Sequence, residues 1–277
     1  MIHVTKKNKS AIQRRLIPTY IFLIIVSFIS VFPLYWMISA ATNTSTDVSR
    51  GRIIPGSHFM ENFRNLTAQQ PLWRALGNSF FYAILTTVIC LLVCSIAGYG
   101  FEVYHDKWKD RVFSILLLAM MVPQVATMVP LFKMFSKAGL LNTAVGFILP
   151  IISTLMIMMF RQNARSFPVD IIEAARIDGL NEVRIFFQMF IPTMKSTYAA
   201  AAVITFMNAW NSYLWPKVIM TDNKAMTMPM LIANLITGYV TDYGMLMCGV
   251  LFCSIPTMIV FFVLQKQFAE GITGAVK

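Results

Sequence analysis

Long apolar runs alternate with short polar stretches along the whole chain. About 20 residues of helix are needed to cross a hydrocarbon core of ~30 Å. Six runs approach or exceed that length: Leu16–Ala41, Asn78–Phe101, Val112–Phe132, Thr143–Phe160, Ser196–Trp215 and Gly244–Leu264. The first is too long for a cleaved leader and lacks a small-residue cleavage site, so it reads as a span. The pattern predicts an all-α polytopic membrane protein with six transmembrane helices. Proline falls in or beside these runs at Pro33, Pro123, Pro130, Pro150 and Pro256. Each removes a helix hydrogen bond and favours a kink. In a bilayer the freed carbonyls need protein or a water-filled path beside them, so the prolines point to bent helices around a cavity. Helix geometry without function is an equal reading of any one of them.

The polar stretches divide the chain. Residues 1–15 are a basic tail, expected to be disordered, and 16–41 are the first span. A polar loop, 42–77, leads into a five-span core at 78–266 and a short tail at 267–277. Within the core lie a long polar segment, 161–195, and a semi-apolar, Met-rich loop, 216–243. Lys and Arg orient the spans. With the N-terminus inside, fifteen of the 23 fall in inside segments and eight outside. Six spans then put both termini in the cytoplasm.

Composition supports a membrane reading. The chain is 57% hydrophobic and 13% charged, against about a quarter charged in a soluble domain. The net charge of +11 is accounted for by inside-positive loops and anionic headgroups, and implies no nucleic acid. Cys90, Cys94, Cys248 and Cys253 lie within spans as small packing residues. No His or carboxylate sits at matching depth, so no metal site is expected.

The chemistry that the spans lack is equally informative. As drawn, no Asp, Glu, Lys, Arg or His lies inside a span, so a proton relay has no obvious residue. There is no glycine-rich loop ending in Gly-Lys-Ser/Thr to cradle a nucleotide. His3, His58 and His105 lie outside the spans, which leaves no catalytic constellation and no catalytic residue to name. If the protein moves a solute uphill, a partner must supply the energy.

The segment Phe167–Lys195 reads as two short helices. Pro168 suits a helix start, and Asp170 and Glu173 place negative charge near the positive end of the dipole. Ala174 and Ala175 allow close approach of another surface. Gly179 suits a left-handed stop, and Asn181 can cap a second helix. From these residues alone, an ordinary amphipathic connection and a docking element are level readings.

Four stretches then carry a resemblance. Glu173-Ala174-Ala175, Gly179 and Met189-Phe190-Ile191-Pro192 resemble the signature of bacterial ABC importer permeases, Glu-Ala-Ala, three residues, Gly, nine residues, Ile-x-Leu-Pro. Gly139-Leu140-Leu141-Asn142-Thr143 with Ile148-Leu149-Pro150 is similar to the third-to-fourth span region of the maltose type. Trp210-Asn211-Ser212-Tyr213-Leu214-Trp215-Pro216 resembles its fifth span. Gln265-Lys266 through Gly271–Lys277 resembles the tail of its "G" subunit. The resemblance covers nearly the whole chain, in the family's order.

What the resemblance implies is specific. The fold would be that of a type I ABC importer permease in a bacterial cell membrane. The chain would be one half of a heterodimer with a second, homologous permease subunit. Two cytoplasmic ATPase subunits and an extracellular or periplasmic solute-binding protein would complete a sugar importer. ATP and Mg would be held by the ATPase, so this chain binds no cofactor and is not itself an enzyme. Glu173, Ala174, Ala175, Asp178 and Gly179 would form the ATPase-coupling element. Gly271, Thr273, Gly274 and Lys277 would be a tail reaching the ATPase, and the loop 216–243 would face the binding protein. Its residues Met226, Met228, Pro229, Met230 and Leu231 suit an interaction surface, with a lipid-interface segment as the other reading. Asn208, Asn211 and Tyr213, near two tryptophans, are candidates for the sugar path, because amides and aromatic faces hold sugars. Asn as interhelical glue is the competing reading. A stand-alone secondary transporter or channel for small polar solutes is the alternative function.

Overall fold

A computed structural model describes residues 6–237 and 241–273. Among the described residues every regular element is helical. The helices are α1 (Lys6–Ala41), α2 (Ser45–Ser49), α3 (Phe59–Gln69), α4 (Leu72–Val103), α5 (Lys107–Ala119) and α6 (Gln124–Lys137). Then come α7 (Ala144–Ile148), which tightens into a 3₁₀ turn at Leu149–Ile151, α8 (Thr154–Ala164) and α9 (Val169–Ile177). Next, α10 (Glu182–Ile185) runs through a π turn at Phe186–Phe190 into α11 (Ile191–Thr193). The chain finishes with α12 (Lys195–Trp210), α13 (Leu214–Ile219), α14 (Met228–Ile236) and α15 (Tyr243–Thr273).

Two expectations about order need correcting. The first helix begins at Lys6, inside the stretch read as a disordered tail. A helix nucleated by the apolar run continues readily over Lys, Gln and Arg, which are good helix formers. The loop 42–77 contains α2 and α3, and α4 starts at Leu72, before the predicted Asn78.

The six-span picture is also modified. Among the described residues three helices are long and apolar enough to cross a membrane alone: Leu16–Ala41, Leu72–Val103 and Tyr243–Val263. The third predicted run is two helices, α5 and α6, bent by 103° across the break at 120–123. Pro123 lacks an N–H and disfavours helix at Val122, which fixes where the break falls. The fourth run bends by 54° between Ala144–Ile151 and α8, with Pro150 in the 3₁₀ turn and Ser153 Oγ capping α8 by accepting from Leu155 N at 3.1 Å. The fifth run stops at Trp210 and restarts as α13. Counting each bent pair as one span gives five.

Contacts divide the chain into two units. The smaller comprises Met1–Gln70 and Leu235–Phe252. Its polar knot joins the end of α1 to α3. Asn43 Nδ2 donates to Ser39 O and Ile54 O, and Asn62 Nδ2 donates to Ala41 O and Asn43 O, all at 2.9 Å. From Leu16 to Tyr35 every side chain of α1 is exposed, which leaves that face to lipid or another subunit.

The larger unit comprises Pro71–Asn234 and Cys253–Lys277. At its centre α4 packs against α8 and α12. The packing face of α4 is a stripe of small residues about one turn apart, Ala75, Ser79, Ala83, Cys90, Cys94 and Gly98, all buried. Small residues let membrane helices approach closely, where dispersion contacts replace the absent hydrophobic drive. Gly98 is the tightest point. A Cβ there would lie 2.6 Å from Phe160 Cβ and 2.8 Å from Arg161 N. Cys90 and Cys94 complete a cluster with Met156, Phe160 and Ala201.

Candidate functional site

The first site is α9 and its flanks. Pro168 stands at the N-cap of α9, where its missing N–H costs nothing. The helix ends in a Schellman motif. Gly179 takes φ +79°, its N–H reaches Arg176 O at 3.1 Å, and Leu180 N reaches Ala175 O at 3.0 Å. Asn181 then caps α10 by accepting from Arg184 N at 2.9 Å. Arg176 Nε bonds Glu182 Oε1 at 2.7 Å across the turn. That guanidinium holds the Glu182 carboxyl below its ordinary value, and the Tyr104 hydroxyl adds to the effect.

The helix has a back and a front. Ile172 and Ala175 are buried in a cluster with Tyr99, Ala164, Phe167, Ile185, Phe186, Phe190 and Met194. Glu173, Ala174, Asp178 and Gly179 are exposed. The paired alanines therefore divide, with Ala174 facing outward and Ala175 seating the helix on its own core, 4% exposed. Sequence reading missed one outward residue, Ile177, which is 86% exposed. The signal was available, because Ile177 lies one turn from Glu173 and Ala174, on their face and opposite Ile172.

Sequence reading also missed a polar clasp beside this segment. Arg161, counted as the first loop residue, lies within α8 and is buried. Its Nε donates to Glu102 Oε2 at 3.1 Å and its Nη2 to Asp110 Oδ1 at 2.7 Å. The guanidinium lies 4.4 Å from the centre of the Phe113 ring. Residues from α4, α5 and α8 thus meet on one cation.

The second site is a cavity of about 570 Å³ where the three helix breaks converge. Gln124 opens α6 after the first break, Ile151 and Ser153 flank the second, and Asn211, Ser212 and Tyr213 are the third. Asn208 completes the polar lining. Irregular backbone at membrane depth is tolerated where protein buries it or where it lines a water-filled cavity. Asn208 and Asn211 also face a second, more apolar hollow of about 620 Å³, with Met207 and Phe261. No titratable acid or base lines the 570 Å³ cavity apart from the phenol of Tyr213.

The neighbouring tryptophans have structural roles. Trp215 Nε1 donates to Gly146 O at 3.0 Å, and Trp210 Nε1 donates to Cys253 O at 3.0 Å. Both are almost fully buried and brace the broken span, and Trp215 also forms part of the cavity wall. Asn211 Nδ2 donates to Met207 O at 2.9 Å.

Two further expectations meet the structure differently. Met226, Met228, Met230 and Leu231, read as an interaction surface, are buried. Ser79 Oγ accepts from Met228 N at 2.8 Å, and Asn78 Nδ2 donates to Lys224 O and Met226 O at 2.8 Å. These bonds turn the apolar run inward onto α4. Of the tail, Gly271 and Thr273 fall in the last turns of α15, while Gly274 and Lys277 lie outside the described residues.

Comparison with known proteins places these features in context. A family model described as "binding-protein-dependent transport system inner membrane component" matches residues 93–274. The lactose transport system permease protein LacG of Rhizobium radiobacter is 41% identical over 271 residues, covering 97% of this chain and 99% of that protein. The arabinooligosaccharides transport system permease protein AraQ of Halalkalibacterium halodurans is 36% identical, covering 91% and 93%. The sn-glycerol-3-phosphate transport system permease protein UgpE of Escherichia coli is 31% identical, covering 89% and 92%. The fold matches a chain of a bacterial ABC transporter involved in alginate import with a TM-score of 0.82 at 19% identity, over 97% of this chain and 100% of that one.

Proposed function

The chain belongs to the family of binding-protein-dependent transport system inner membrane components, and from that premise we propose that it forms half of the pathway of an ATP-driven sugar importer in a bacterial cell membrane. A second, homologous permease subunit completes the pathway, two ATPase subunits bind ATP and Mg on the cytoplasmic side, and a solute-binding protein delivers the sugar outside. The apolar runs and the uncovered face of α1 fit a chain embedded in lipid and covered by another subunit.

One observation carries the coupling assignment. A short helix, closed at its C-terminus by the Gly179 turn and with its back in the core, exposes Glu173, Ala174, Ile177 and Asp178. An isoleucine left 86% exposed beside an acid and a small residue is a pattern suited to a partner's cleft. Glu173 meets a basic group there, Ala174 allows close approach, Ile177 fills an apolar pocket, and Gly179 fixes the exit of the chain. Ala175 acts from behind by seating the helix. The tail at Gly271, Thr273, Gly274 and Lys277 is assigned to the same ATPase side by its resemblance alone.

The polar cavity supports the solute assignment. Amide and hydroxyl groups from Gln124, Ser153, Asn208, Asn211, Ser212 and Tyr213 suit a neutral, hydroxyl-rich solute. Sugars also fit the named cargo of the lactose and arabinooligosaccharide relatives. The test is Ile177→Asp or Glu173→Arg in the assembled complex. ATPase co-purification and sugar uptake should both fall by at least about tenfold, because central interface residues commonly carry 2 kcal/mol or more. Unchanged co-purification with unchanged uptake would sink the assignment.

A further inference from the structure

The helix α5 reaches α8 at Arg161. Phe113 is its one buried side chain among 13 residues. The Phe113 ring lies under the Arg161 guanidinium at 4.4 Å and against Phe101 at 5.4 Å. One turn earlier, Asp110 accepts from Arg161 Nη2 at 2.7 Å. The other edge of the same guanidinium bonds Glu102 at the end of α4. Arg165 adds to Glu102 at 3.4 Å, and His105 Nε2 lies 2.9 Å from Asp110.

These ties are not equivalent. α4 and α8 have a second, independent lock at Gly98, where the backbones touch. The tie of α5 to α8 depends on Arg161, whereas Phe113 on Phe101 and Lys109 on Tyr104 tie it to the end of α4. Beyond Arg161, α8 continues through Ala164 and Phe167 into the cluster that seats Ile172 and Ala175 of α9. Beyond Asp110, α5 continues to the 103° elbow and so to Gln124 on the cavity wall.

We propose that Arg161 is the positioning residue that joins α5 to the α8–α9 body, so that displacement of the coupling face reaches the cavity through Asp110 and the elbow at 120–123. The proposal rests on the coupling assignment above. A guanidinium is suited to this joint. Its rigid fork bonds two carboxylates from two helices at fixed angles, which a lysine ammonium does not do. Arg161 is buried, with its side chain 7% exposed, while Glu102 at 22% and Asp110 at 40% reach toward solvent.

Charge burial alone makes the opposite prediction. If the carboxylates only neutralise Arg161, the more buried Glu102 should matter more. If the clasp is a joint, Asp110 should matter more, because Gly98 already holds α4 to α8. The experiment measures sugar uptake per ATP hydrolysed in proteoliposomes holding the whole complex and its loaded binding protein. Asp110→Asn leaves Arg161 paired with Glu102, reduces the tie to α5 from an ion pair to a neutral hydrogen bond at most, and weakens the His105 contact with it. It should keep ATP hydrolysis stimulated by the binding protein and lower the transport ratio about tenfold, within the 5–150-fold range of ordinary coupling free energies. Glu102→Gln should stay within about twofold of wild type, and Arg161→Lys should resemble Asp110→Asn. Should Asp110→Asn not assemble, Asp110→Glu, which keeps the charge and shifts the carboxylate by one methylene, gives the same reading. A wild-type ratio in the Asp110 variant, or a larger loss in Glu102→Gln, overturns the proposal. A wild-type complex in which no ATPase subunit co-purifies overturns the coupling assignment as well.

Discussion

The α9 segment and the broken-helix cavity belong to one unit of the chain and are built on opposite rules. In α9 the chain enters at Pro168 and leaves through the left-handed Gly179, after which Asn181 caps α10. Its polar turn is paired by Arg176 and Glu182. It leaves Ile177 exposed, beside the acids Glu173 and Asp178. At the cavity the backbone is interrupted three times, and the uncovered lining is mostly polar, with Gln124, Asn208 and Asn211 beside Leu214. A stable protein partner rewards the first arrangement, since a rigid face loses little entropy when it docks. A solute that must arrive and leave suits the second, since water and sugar hydroxyls exchange on the same amides.

The largest expected effect removes the contrast by removing the frame that both regions share. Gly98→Leu would drive a side chain into Phe160 Cβ and the Arg161 backbone, where neither neighbour has a flexible end to yield. Overpacking of this kind costs about 1–3 kcal/mol even where side chains can shift, and more against backbone. Monodisperse protein in detergent should be lost, together with co-purification and uptake. A well-folded Gly98→Leu protein would mean that the α4–α8 crossing is looser than the geometry requires.

The next effect separates the regions. Asn208→Ala and Asn211→Ala should leave the complex assembled and raise the uptake KM by about 2–10-fold each, the value of one net hydrogen bond of 0.5–1.5 kcal/mol. Ile177→Asp should do the reverse, losing the ATPase subunits while binding of sugar to its delivery protein is untouched. The comparison breaks if the asparagine variants lose the ATPase, or if Ile177→Asp changes KM alone.

The two regions were unequally legible in sequence. The α9 segment declares itself within a dozen consecutive residues, because caps, the left-handed glycine and the acidic first turn are all local signals. Its inward and outward faces follow from helical spacing, so Ala175 and Ile177 were readable too. The cavity is assembled from residues about 30 to 60 positions apart, and its walls are where predicted spans failed to be continuous. Pro123 and Pro150 marked two of those breaks. The third, at 211–213, contains no proline, and Asn211 and Ser212 end α12 by local side-chain competition that weak propensity signals do not resolve. Arg161 was hidden for a related reason. A run-length rule ends a span at the first charge, whereas the structure pairs that charge with Glu102 and Asp110 and keeps it inside the helix. The burial of Met226, Met228 and Leu231 depends on Asn78 and Ser79, some 150 residues away in sequence, and no local pattern announces it.

A smaller effect sharpens the contrast at a single backbone position. Gly179→Ala meets no steric neighbour, yet φ +79° disfavours any side chain, and a non-glycine residue in that region costs about 1–2 kcal/mol. The cost should fall on the α9–α10 turn alone. Hydrogen exchange at Leu180 and Asn181 should speed up by about 5–30-fold, following from that cost, while amides around Ser153 and Asn211 keep their rates. Equal acceleration at both places would mean that the turn and the cavity open together.

The smallest effect is a pH dependence expected in one region and absent from the other. Arg176 holds Glu182 below its ordinary carboxylate value. For a carboxyl whose folded pKa is lowered, the stabilisation is fully present above the unfolded pKa and is lost as pH falls through the folded one. Protection of the α9–α10 turn should therefore be level from neutral pH down to about 4.3, the usual glutamate value, and decline below it. The change should be slight, because both partners are nearly half exposed and solvent screens such pairs. Glu182→Gln should flatten the profile. The cavity has no carboxylate, histidine or lysine in its lining, so KM should not follow this titration. If it does, the joint at Arg161 is the route to examine, since Asp110 and His105 are titratable groups that stand between the two regions.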